Sequence, residues 1–175
     1  MLVLGALIGG FVLLTSGDDE DGVGDRSAVD RSGLTERLTK RDAGLSLFYP
    51  TGWRRSAGEG IINLESPDRC VAMALSSPVD ASLWNRLFAD SVAGLRDTRG
   101  AQIGRTQDPV VVGSAPTRTA IAALRSKKGT PVTVRLSVSR GRRLAHILQV
   151  VTRAPTCEES ATQSRAIIES IEYTR

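Results

Sequence analysis

Aromatic residues, histidine and cysteine are all scarce in this chain of 175 residues, which holds two Trp, two Tyr, three Phe, one His and two Cys. A single histidine among scattered carboxylates cannot supply the donor set of a zinc site. No G-x-S-x-G nucleophile elbow is present, and no C-x-x-C redox pair. The glycines of "GLRDTRGAQIG" lack the spacing of a dinucleotide or phosphate-binding loop. Rings for base stacking are too few for a single-stranded nucleic-acid platform. These absences predict a protein that is not an enzyme, with no metal, no cofactor and no nucleic-acid partner.

Long apolar runs are missing too. Leu2 to Leu14, "LVLGALIGGFVLL", is the longest, shorter than the roughly 20 residues of a spanning helix. It has the length of a signal-peptide core, but no Lys or Arg precedes it and no A-x-A site follows. Nor does a cysteine end it to carry a lipid. It reads as a thin uncleaved anchor or the end of a longer one, against the alternative of a core helix. Six acids (Asp18, Asp19, Glu20, Asp21, Asp25, Asp30) and one base (Arg26) come next. The expected organisation is a membrane anchor or signal over 1–16, an acidic flexible tether over 17–33 and a folded domain over 34–175. Beyond Asp30 the chain carries 22 basic and 13 acidic side chains, a net +9, so its partners are expected to be anionic. Arginine outnumbers lysine, and Ala, Gly, Val and Ser abound, a bias typical of GC-rich bacterial genomes such as those of actinobacteria.

Cys70 and Cys157 are an even pair behind an export-like N-terminus, which favours a disulfide. Its loop of almost 90 residues is worth up to about 4–5 kcal/mol in the chain-entropy model. Two alternatives are free buried thiols and a catalytic thiol at Cys157. The latter follows from a T-x-x-E capping box, Thr156 to Glu159, which places Cys157 in the first turn of a helix.

Periodicity supplies the elements. Residues 44–49 read as a strand stopped by Pro50, and 60–65 and 70–76 as two more. Asp80 caps a helix whose Trp84, Leu87, Phe88, Ser91, Val92 and Leu95 share a face and which Gly100 ends. "AQIGRTQ" is a weak strand broken at Asp108-Pro109. Residues 115–125 read as a strand, and so does "PVTVRLSVSR", with Val132, Val134, Leu136 and Val138 on one face and Thr133, Arg135, Ser137 and Ser139 on the other. Gly141 marks a hairpin into 143–151, and a last helix runs from Cys157 to Ile171. Grouped strands with few helices indicate the α+β class, a central antiparallel sheet of about six to seven strands flanked by helices.

The opening "LSLFYPTGW" and the ending "AIIESIEY" carry a resemblance. The first is similar to the strand and P-x-G-W turn of the PsbP-like superfamily. The second is similar to its closing helix with an Ile-x-x-Ser-Ile signature. The intervening order, a β-meander, a long helix and a Gly-containing hairpin, agrees over roughly residues 34–175. The chain resembles most the actinobacterial extracytoplasmic members of LpqN type, without their lipobox cysteine. The resemblance implies a three-layer α/β/α sandwich that acts by binding, as in a photosystem assembly subunit or a Ran-binding protein, with no shared catalytic motif.

Three groups remain as candidate sites. Tyr49 and Trp53 form an aromatic edge that covers the core, or, alternatively, a ligand platform. His146 shares a face with Leu144, Leu148 and Val150, which predicts burial. Arg125, Lys127, Lys128, Arg135, Arg140, Arg142 and Arg143 gather around two hairpin connections, a solvated surface or a contact for anionic lipid or glycan. The function expected is a non-enzymatic, membrane-tethered extracytoplasmic binding or assembly-factor domain of the bacterial cell envelope with an envelope protein partner. The alternative is a carrier or sensor of a small amphipathic or anionic ligand.

Overall fold

The computed structural model describes residues 33–173 except 42–43, 59–60, 105–106, 113–114, 127–128 and 154–156, and describes no side chains at 57–58, 77–78 and 107–112. The expected anchor and all of the expected tether but Gly33 lie outside the described residues. Among those residues no helix is long and apolar enough to cross a membrane.

Alternating apolar residues make long strands where the sequence places them: β5 (Val71–Asp80), β8 (Ala115–Arg125), β9 (Pro131–Arg140) and β10 (Leu144–Arg153). With β3 (Arg54–Gly58), β4 (Ile61–Glu65) and β6 (Gln102–Ile103) they form an antiparallel sheet in the order β3-β4-β5-β10-β9-β8-β6, and β7 (Gln107–Val112) pairs with β8 outside this path. Strands β1 (Glu36–Lys40), β2 (Leu45–Tyr49) and β11 (Glu172–Tyr173) make a second, small sheet in the order β1-β2-β11.

Three layers result. Helix α1 (Trp84–Arg96) lays Leu87, Phe88, Val92 and Leu95 against Ala120, Ala122, Val134, Leu136, Val138 and Ile147 on one face of the large sheet. On the other face, helix α2 (Glu158–Glu169) and the small sheet close over Ile62, Leu64, Met73, Leu75, Leu148 and Val150. The architecture is an α+β sandwich, with the small sheet sharing the second outer layer.

Three local expectations need correction. Pro109 lies inside β7 rather than breaking it. Among the described residues that strand pairs with β8 alone, with a register shift between Gln107 and Val110, and an edge strand tolerates a missing N–H donor at such a bulge. Asp80 caps not the α-helix but a 3₁₀ turn, Ala81–Leu83, where its carboxylate accepts from Ser82 N at 2.8 Å. The α-helix follows at Trp84 and stops at Arg96, before the turn in which Gly100 takes a φ of 79°. Helix α2 has Cys157 itself as its N-cap, without a side-chain cap bond, and Thr156 lies outside the described residues. Ser137 and Ser139 lie on the face of β9 opposite Val134, Leu136 and Val138, where their alternation puts them, and are buried because that face is partly covered.

Candidate functional site

The aromatic turn is core. Gly52 takes a φ of 90°, a conformation L side chains disfavour, and the reversal returns Trp53 N to Pro50 O at 3.3 Å. Trp53 is only 6% exposed, and its indole N–H donates to Gln163 Oε1 of α2 at 2.8 Å. Tyr49 is equally buried; burial first, then a hydrogen bond with the Glu36 carboxylate, push its hydroxyl up to about 12. Both rings are enclosed by the layer above them, which leaves no open platform for a ligand.

Cys70 and Cys157 are joined in a disulfide across 87 residues of chain. Neither sulfur is a thiolate nucleophile in this state. A parallel brace stands beside the bond. Asp68 accepts from Cys70 N at 2.9 Å and from Ser160 Oγ of α2 at 2.7 Å, and the Ser66 hydroxyl also donates to it. These donors, Ser66 first, hold the Asp68 carboxyl below the usual carboxylate range. The first turn of α2 is thus fastened to the β4–β5 connection twice.

His146 lies at a bulge of β10, where the pairing with β5 shifts between Ala145 and Ile147. It is 3% exposed and shares the Leu148 and Val150 face, as its spacing predicts. Across the sheet it is level with Ser139 of β9, which in turn is level with Thr117 of β8. The Thr117 and Ser139 hydroxyls are 2.8 Å apart, and those of Thr119 and Ser137 in the next row 3.1 Å. Strand β11 brings Tyr173 over this row: its ring centroid is 4.4 Å from that of His146, and its hydroxyl bonds to Ser139. Burial pushes His146 down to about 4 and Tyr173 upward, so both are neutral near pH 7. Gly141 completes the enclosure; a Cβ there comes within 2.5 Å of His146 Nε2. The imidazole is therefore packed, not presented. Tyr173 escaped sequence reading because β11 is two residues long, too short for any alternation to register.

The five described members of the basic group lie at the two ends and in the middle of β9. Arg125 ends β8 and donates to Gly129 O at 3.2 Å within its own hairpin, while Lys127 and Lys128 lie outside the described residues. Exposed Arg140, Arg142 and Arg143 gather at the other end of β9, about 30 Å away at some 3.3 Å per residue. Arg135 is exposed between them, on the face opposite that of Val134 and Leu136. A wider feature does emerge. From residue 109 to 157 the chain has nine basic side chains and no acidic one, and this stretch supplies the adjacent strands β8, β9 and β10. Among the described residues no cluster of three His, Cys, Asp or Glu is placed to hold a metal ion.

No family model matches the chain, and no curated protein does. Solved structures do. The solution structure of cyanobacterial PsbP (CyanoP) from Synechocystis sp. PCC 6803 superposes with a TM-score of 0.54 at 14% identity, over 86% of this chain and 98% of that one. The fold is PsbP-like. LpqN of Mycobacterium tuberculosis, a protein involved in cell envelope biogenesis, shares this PsbP-like fold with a TM-score of 0.50 at 14% identity, over 75% of this chain and 83% of LpqN. A Bacteroides thetaiotaomicron structure matches with a TM-score of 0.55 at 15% identity over 82% of this chain. There the chain spans about half of the other protein's length, 49%.

Proposed function

We propose that this chain is a non-enzymatic binding or assembly-factor domain of the bacterial cell envelope, tethered to the membrane by its N-terminal segment and folded on the extracytoplasmic side. The observation that carries the reading is how the reactive side chains are used. The one histidine is packed under Tyr173, and both cysteines are consumed in the Cys70–Cys157 bond. A long-range disulfide suits an oxidising compartment. LpqN, of the same fold, is described as involved in envelope biogenesis.

The test is native mass spectrometry of the tagged full-length chain, extracted gently from its own membranes. A co-purifying envelope protein supports the assembly-factor reading. A reproducible adduct of low mass replaces it with the carrier reading. Recovery of the chain only from the cytosol, with both thiols free, overturns it.

A further inference from the structure

The second outer layer covers only part of the large sheet. Val150 of β10 is buried beneath it, whereas Arg135, its direct partner on β9, is exposed. Beyond that boundary the face continues as Ala123 and Thr133, both exposed, and ends at Arg125. Among the described residues nothing covers this face, and it forms a ledge beside a wall built of the small sheet and α2. Stacked sheets stand roughly 10 Å apart, so the wall rises about that far above the ledge.

We propose that this ledge binds an extended polyanion, a linear chain of phosphate groups. Charge selects the class: the strands that build the ledge belong to the 49-residue stretch without an acid. Guanidinium forks match phosphate oxygens in paired hydrogen bonds. Shape narrows it further. The wall flanks Arg135 on the β10 side, where Val150 is buried, and so favours a narrow chain over a planar bilayer at that position. The ledge presents no aromatic ring among its described residues, so it offers nothing on which nucleobases stack. Arg125 and Arg135 lie along adjacent strands, with Ile121 the partner of Arg135 and four residues short of Arg125. They mark a line, as a repeating ligand requires. The inference rests on the reading of this chain as a binding domain, but not on its compartment or tether.

The probe is medium-chain linear inorganic polyphosphate, titrated into the full chain by fluorescence anisotropy at several salt concentrations. Saturable binding that weakens with salt is expected. The double variant Arg125→Gln/Arg135→Gln weakens it about tenfold. The control Arg86→Gln/Arg96→Gln removes the same charge from exposed positions of α1 on the opposite side and leaves affinity within about twofold. Both pairs are exposed, and unchanged thermal midpoints confirm folding. Equal loss in the two double variants makes the binding a general charge effect and overturns the proposal. Binding to anionic vesicles without binding to polyphosphate also overturns it, in favour of a lipid surface. No polyphosphate binding by a chain that still co-purifies with an envelope protein sinks the ledge and spares the binding-domain reading. Ledge-dependent polyphosphate binding by a chain that co-purifies with nothing keeps the ledge and sinks the assembly-factor reading.

Discussion

The Ser170 hydroxyl takes the place of a strand for Phe48. It accepts from Phe48 N at 2.9 Å and lies 3.1 Å from Phe48 O, with Ile167 O at 2.8 Å as a second acceptor for its hydrogen. Strand β11 pairs Glu172 with Ser46 and Tyr173 with Leu45. Two residues earlier the chain is still at the C-cap of α2, its backbone N–H bonded to Ala166 O, and a side chain completes the ladder that backbone cannot reach. This gives the Ile-x-x-Ser-Ile ending its physical meaning: Ile167 and Ile171 are fully buried on either side of that hydroxyl.

Replacing Ser170 with Ala leaves the part-buried N–H of Phe48 without its acceptor. The expected cost is about 1–3 kcal/mol, read as a lower urea midpoint with an unchanged m-value.

Gly141→Ala is expected to destabilise by about 1–3 kcal/mol. Its Cβ meets His146 Nε2 at 2.5 Å and Leu144 O at 2.8 Å, whereas a Cβ at Gly104 meets only Ile121 O at 3.5 Å. Gly104→Ala should therefore unfold at nearly the wild-type temperature. If the two variants melt together, Gly141 is not the stop that holds His146 in place.

Stability should fall with acid because of His146. Its folded pKa, about 4, lies below the ordinary 6.5. Between those values the unfolded chain binds more protons than the folded one. The contribution is therefore complete above pH 6.5 and lost as pH falls towards 4, about 3 kcal/mol in all. Asp68 acts lower still, since its carboxyl is held below the usual range. Unfolding free energies at pH 7 and 4.5 should differ markedly for the wild type and much less for His146→Gln.

Reduction of Cys70–Cys157 opens a loop of 87 residues' separation and is expected to cost about 4 kcal/mol. The Ser160–Asp68 hydrogen bond remains to hold α2. Chemical unfolding with and without reductant, repeated on the double Ser variant, measures the loss. An unchanged midpoint would show that the brace alone suffices.

Much of the fold was legible along the chain. Alternation in β9 and the six-residue face of α1 are local patterns, and both elements fall where those patterns put them. Strands β1, β3 and β11 were not legible. Glu36–Lys40 and Arg54–Gly58 carry too few apolar residues to announce a strand, and they are held by partners instead, β2 and β4. Pro109 misled for a related reason: proline forbids a donor, and only the sheet's topology reveals that no donor is needed at that edge.

By itself the sequence determined the apolar periods, the pair of cysteines, the lone histidine and an acid-free basic stretch. Composition and spacing are properties of neighbours along the chain, so those survive in any reading. Tertiary structure alone decided that His146 is stacked under a ring 27 residues downstream, and that Ser170 completes a strand 122 residues away. It also decided that the second outer layer stops short of β9, leaving Arg135 exposed beside buried Val150. Which face of a strand is covered depends on what returns to it from far along the chain, and a two-residue period records only that the faces differ.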